Sequence, residues 1–128
     1  MARARIVVAD DHDEIRNTIV GLLQQQFEVL AAVADGQAFL EAVARLKPDL
    51  CVLDISMPKM NGIEAAHRIK QSDAEIRIVF VTLHDDFDFR AAALATGAEG
   101  YITKARLGGE LLRAVTEVLA GRTFCPLP

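Results

Sequence analysis

Three aspartates, a threonine and a lysine stand where short apolar runs end. Asp10-Asp11 follows Ile6-Val7-Val8-Ala9, and Asp54 follows Leu50-Cys51-Val52-Leu53. Thr82 ends Ile76-Arg77-Ile78-Val79-Phe80-Val81, and Lys104 follows Gly100-Tyr101-Ile102-Thr103. Carboxylates gathered at one place repel one another, which raises the pKa of at least one and disfavours the compact state. A divalent cation relieves that repulsion. All-oxygen donors with room for water point to Mg²⁺ rather than zinc or copper. His12 beside Asp11 lacks a partner at metal-ligand spacing, so no nitrogen or sulfur set competes. Such a group suits phosphoryl transfer, which needs an in-line nucleophile plus positive charge and donors around the equatorial oxygens. Asp54 would be the nucleophile, forming an acyl phosphate. Mg²⁺ on Asp11 and Asp54 would cover one oxygen, the Lys104 ammonium a second and the Thr82 hydroxyl a third.

These residues meet only if the chain delivers them to one rim. Strands are expected at 4–10, 28–33, 50–54, 76–82 and 99–103, and helices at 13–26, 36–46, 62–71, 86–96 and 107–120. Several strand runs are almost wholly apolar, the mark of strands covered on both faces. Ile15, Ile19, Leu22 and Leu23 recur at helical spacing, as do Leu107, Leu111, Leu112, Val115 and Leu119. Gly62, Gly97 and Gly121 punctuate element ends, and Pro48 stops the second helix. Five strand-then-helix units imply an α/β fold, a doubly wound five-stranded parallel sheet with helices on both faces and right-handed crossovers. Ligands of such sheets bind beyond the carboxyl ends of the strands, where strand order reverses.

The bulk composition agrees with one domain. The chain has 128 residues, 52% of them apolar and 25% charged. Two cysteines are too few for a disulfide framework, and Cys51, inside an apolar run, reads as a buried reduced thiol. No stretch approaches the ~20 apolar residues of a membrane span. The net charge is −4 with basic residues scattered, which argues against direct nucleic-acid contact. A cytoplasmic setting is expected.

With these residues in hand, the chain resembles the receiver domains of two-component response regulators. The resemblance runs from Ile6 to about Gly121. It rests on Asp10-Asp11, the segment Asp54-Ile55-Ser56-Met57-Pro58-Lys59-Met60-Asn61-Gly62, Thr82, and Gly100-Tyr101-Ile102-Thr103-Lys104. It implies a flavodoxin-like fold of five βα units. It also implies that Asp54 is the phosphoacceptor for a sensor histidine kinase, and that Asp11, Asp54 and the Ser56 backbone carbonyl hold Mg²⁺, with Asp10 acting through water. A switch is implied too: the Thr82 hydroxyl moves toward the phosphoryl group and Tyr101 rotates into the vacated space. Residues 97–121 look most like the NarL/FixJ (LuxR-type) subfamily, whose members carry a DNA-binding helix-turn-helix domain after a linker. The receiver is therefore expected over 1–121 and the start of a C-terminal linker or tail over 122–128. An excised receiver domain is expected, a natural single-domain protein being the alternative. Homodimerisation on phosphorylation and transcriptional output through a domain outside this segment belong to the same expectation.

Two features depart from the common pattern or stay open. Ala105 stands where many receivers have proline, so a trans bond or a rearranged loop is expected after Lys104. Ser56 and His84 lie two residues past site residues and are expected to tune dephosphorylation by admitting or excluding water. Each site residue also has an ordinary explanation: Asp10-Asp11 as a helix cap, Asp54 as a turn residue, Lys104 as a solvated lysine, Thr82 as a strand residue, Tyr101 as packing. Rival functions are weaker. A haloacid-dehalogenase-type phosphatase needs a second aspartate where this chain has Ser56, so turnover of an outside substrate is not expected. A flavodoxin-like cofactor binder wants a phosphate-cradling loop where Asp10-Asp11 would repel it. The remaining alternative is a phosphorylation-independent docking module, against which the intact acidic set and Lys104 argue.

Overall fold

The apolar runs form a single sheet because those at 6–9, 50–53 and 78–81 alternate their side chains between two helical layers and are buried on both faces, while the edge run at 28–33 stays partly exposed. A computed structural model describes residues 3–83 and 86–126. The elements run β1 (Arg5–Ala9), α1 (Asp13–Leu23), β2 (Glu28–Val33), α2 (Gly36–Leu46), β3 (Leu50–Leu53), α3 (Gly62–Ser72), β4 (Arg77–Thr82), α4 (Phe87–Ala95), β5 (Gly100–Thr103) and α5 (Leu107–Leu119). All strand pairings are parallel, in the order β2-β1-β3-β4-β5. The doubly wound α/β fold expected from the sequence is the one observed.

Two apolar layers hold the sheet. Val7, Ala9, Cys51, Leu53, Ile78, Phe80 and Tyr101 pack with α2, α3 and α4 through Phe39, Ala66, Ile69 and Ala93. Ile6, Val8, Val52, Val79, Val81 and Ile102 face α1 and α5 through Ile19, Leu23, Leu111 and Val115. Cys51 is a free thiol with no exposure, and burial pushes its pKa well up, so it stays neutral. No described helix is long and apolar enough to cross a membrane.

Differences from the expected boundaries have local causes. β1 and β3 end one residue early, because Asp10 and Asp54 leave the sheet's plane of apolar packing while their N–H groups still donate to Val33 and Ala9. α1 stops at Leu23, since the glutamine run after it offers no apolar face and closes instead with tighter i→i+3 bonds. The segment expected to open a linker is described as far as Pro126. It turns at Gly121, whose φ of 90° lies in the left-handed region, and lies along the sheet: Phe124 is buried and bridges Gly100 in parallel.

Candidate functional site

Strand order reverses between the parallel neighbours β1 and β3, and that junction places Asp10-Asp11 beside Asp54. Strand order alone brings these distant positions together. Ligand atoms of Asp10, Asp11, His12 and Asp54 all lie within 4.8 Å of one another. Asp10 is fully buried and Asp54 nearly so, whereas Asp11 and His12 face solvent.

Lys104 reaches into this group from the carboxyl end of β5. Its Nζ donates to Asp54 Oδ2 at 3.2 Å and lies 3.0 Å from Asp10 Oδ2, with the lysine side chain only 3% exposed. The approach to Asp10 Oδ2 is an ion pair without hydrogen-bond geometry, and no described group donates to that buried oxygen. One ammonium thus serves two buried carboxylates. The consequence shows at Asp54, whose pKa is raised by burial first and by the Asp10 charge second, against the pull of Lys104 and the Ile55 N–H.

The donor set fits a hard divalent cation. Three carboxylates converge beside the His12 ring, one of their oxygens is buried without a hydrogen bond, and they carry more charge than Lys104 can balance. The capping alternative for the acidic pair is not what the structure adopts. His12 is the N-cap residue of α1 and makes no side-chain cap, while Asp10 Oδ1 accepts the His12 N–H at 2.8 Å.

His12 was the residue that spacing arguments missed. Its Nδ1 lies 3.3 Å from Asp10 Oδ1, 3.2 Å from Asp11 Oδ1 and 3.3 Å from Lys104 Nζ. Direct succession to Asp11 on the loop after β1 was the available signal.

The chain backing Asp54 is shaped by glycine. A Cβ on Gly62 would stand 1.9 Å from the Asp54 carbonyl oxygen, and the Gly62 N–H donates to Ile55 at 2.7 Å. α3 therefore begins pressed against the phosphoacceptor candidate's own backbone, and Asn61 caps it by accepting from Glu64 N–H. Between them Pro58 and Met60 close a three-residue turn at 2.7 Å around Lys59, φ 67°. Ser56 is exposed and, with Asp11, Met57 and Phe89, lines a cleft of about 710 Å³ beside the acidic group.

The other predicted residues fall as follows. Thr82 ends β4 fully buried, paired in register with Thr103. Tyr101 sits on β5 opposite Phe80 and is fully buried. Among the described residues no peptide bond is cis, so Lys104–Ala105 is trans, and Lys104–Arg106 forms a 3₁₀ turn leading into α5. His84 lies outside the described residues.

Residues 6–116 match the response regulator receiver domain family. The chain belongs to that family. Among curated relatives, the transcriptional regulatory protein DegU of Brevibacillus brevis is 34% identical over 95% of this chain and 52% of its own length. The oxygen regulatory protein NreC of Staphylococcus haemolyticus is 37% identical over 94% of this chain and 57% of its own. The receiver thus spans about half the length of these relatives. Among solved structures, a LuxR-family two-component response regulator from Aurantimonas sp. SI85-9A1 superposes with a TM-score of 0.91 at 34% identity, covering 96% of this chain and 89% of that one. The signal receiver domain assigned to NarL in Mycobacterium tuberculosis gives 0.90 at 31%, over 95% and 100%. Together these support the NarL/FixJ subfamily within the receivers.

Proposed function

We propose that Asp54 accepts a phosphoryl group from the phosphohistidine of a sensor kinase in a Mg²⁺-dependent reaction, and that the acyl phosphate biases a switch. The observation that carries this reading is the convergence of buried Asp10, Asp54 and Lys104 with solvent-facing Asp11 at one rim of the sheet. In the transfer, an Asp54 oxygen attacks phosphorus and the new P–O bond forms as the donor's P–N bond breaks. The imidazole leaves and takes up a proton.

Asp11, Asp54 and the Ser56 carbonyl would hold the ion, with Asp10 acting through water. Bound there, Mg²⁺ supplies positive charge to the transferring oxygens. Lys104 stands ready to exchange its carboxylate contact for a phosphoryl oxygen, and the Thr82 hydroxyl to bond another. Ser56 and His84 set water access and hence phosphate lifetime.

Tyr101 is buried in this structure, and the acyl phosphate acts by shifting the population between arrangements of Thr82 and Tyr101. Output passes to a DNA-binding partner domain, in the cytoplasm, with dimerisation as one route. The domain turns over no outside substrate. A phosphorylation-independent docking role would leave the buried Lys104–carboxylate set without a use. The test is label transfer from a small phosphodonor: it should require Mg²⁺ and vanish in Asp54→Asn, while label retained in that variant would refute the assignment.

A further inference from the structure

The carboxyl-terminal segment after α5 occupies the open edge of β5. The Tyr101 N–H donates to Phe124 at 2.8 Å and the Phe124 N–H donates to Glu99 at 2.9 Å, so residues 122–126 satisfy edge groups as an added strand would. Phe124 is buried, with the Arg113 guanidinium 5.4 Å from its ring centre. From the α4 side, Arg90 closes over the same segment. Its Nη1 lies 2.9 Å from Cys125 Sγ and 2.6 Å from the Pro126 carbonyl oxygen. The same guanidinium stacks 4.7 Å from the centre of the Tyr101 ring.

One side chain therefore touches both the ring expected to switch and the chain leaving the domain. We propose that the β5 edge and Arg90 form a docking groove for residues 122–126, and that Arg90 couples docking of this segment to the buried position of Tyr101. The inference rests on the switch reading given above. Phosphorylation that favours buried Tyr101 then tightens the segment, because the stacked ring holds the guanidinium in the orientation that reaches Cys125 and Pro126. Linkage makes the effect reciprocal: docking of the segment favours the phosphorylated state by the same factor. Arg90 is a positioning residue here, acting on the phosphoacceptor only through Tyr101.

Cys125 is a built-in reporter: it is half-buried with its Sγ against Arg90, so its thiol reacts faster with a chromogenic reagent when the segment lifts, while buried Cys51 reports whether the domain stays folded. The full chain is treated with Mg²⁺ and beryllofluoride, a phosphoryl mimic, and adduct formation on Asp54 is followed separately by fluorine resonance. The expected result is a Cys125 rate about fivefold or more slower with the mimic, the lower end of ordinary coupling. In Arg90→Ala, and in Arg90→Lys, which keeps the charge but loses the fork, the ratio should fall toward one. Phe124→Ala, which leaves Arg90 and Tyr101 intact, should weaken mimic affinity by the factor it removes from docking. If Arg90→Ala exposes Cys51, Phe124→Ala decides. An adduct on Asp54 with an unmoved Cys125 rate overturns the inference alone. So does a full ratio in Arg90→Ala with Cys51 protected. Absence of any adduct overturns the switch reading and this inference together.

Discussion

Replacing Asp54 by asparagine should stabilise the metal-free domain. Asp54 and Asp10 present oxygens within 4.8 Å of each other, a repulsion of roughly 3–4 kcal/mol at an effective dielectric of about 20. Lys104, 3.2 Å from Asp54, returns roughly 5 kcal/mol on the same scale, but the ammonium is shared with Asp10 and burial costs the Asp54 charge several kcal/mol more. The balance disfavours the charge, in keeping with the raised Asp54 pKa, which burial drives first and Asp10 second. An amide of the same shape still accepts from Lys104. A net gain of about 1–2 kcal/mol follows, a rise of several degrees in Tm for a domain of this size.

The pH dependence has a definite sign. A carboxyl whose pKa is higher folded than unfolded binds more protons in the native state, so wild-type stability falls as pH rises from its ordinary 3.8 through the raised folded value. Asp54→Asn lacks that decline, and the difference between the two proteins should widen over this window and then level off. Calorimetric melts in chelator at several pH values measure it. Mg²⁺ should then narrow the gap by stabilising wild type alone. A variant that melts below wild type in chelator, or a difference independent of pH, would refute the crowded-carboxylate reasoning.

Three further perturbations follow. Lys104→Met strips the shared ammonium from two buried carboxylates and should cost roughly 3 kcal/mol at neutral pH without metal, read by urea denaturation, with most of the loss recovered in acid. Gly62→Ala forces a methyl against the Asp54 backbone carbonyl and should cost roughly 1–3 kcal/mol while slowing phosphorylation by displacing the backbone that carries the Asp54 carboxylate. Glu99→Ala leaves the mostly buried Lys70 ammonium without its carboxylate and the Ile78 N–H without its acceptor, and should lower stability by about 3 kcal/mol with phosphorylation intact.

Much of this molecule was legible in its residues. Strand positions were readable because parallel, two-sided burial leaves an apolar run with few alternatives, and the site followed because ligands gather where such strands end. Less visible were features that depend on side-chain reach. His12 looked isolated because metal-ligand spacing is a one-dimensional criterion, whereas its ring meets Asp10 and Lys104 through the loop's fold. The sharing of Lys104 between Asp10 and Asp54 requires knowing that β5 lies two strands away from β3, with β4 between. The return of Phe124 to the β5 edge carried no periodic signal: a single aromatic after a glycine turn gives no pattern to read. The Lys70–Glu99 pair was hidden for a similar reason, since both residues look like ordinary surface charges.

A single chemical trapping experiment bears most directly on the whole scheme. The chain is incubated with Mg²⁺ and a small phosphodonor, reduced with borohydride so that any acyl phosphate becomes an alcohol, then digested and weighed by mass spectrometry. Conversion confined to the peptide position of Asp54, and absent when the metal is chelated, is the predicted result. Phosphate retained on another residue, or an untouched Asp54 with metal and donor in excess, would contradict it.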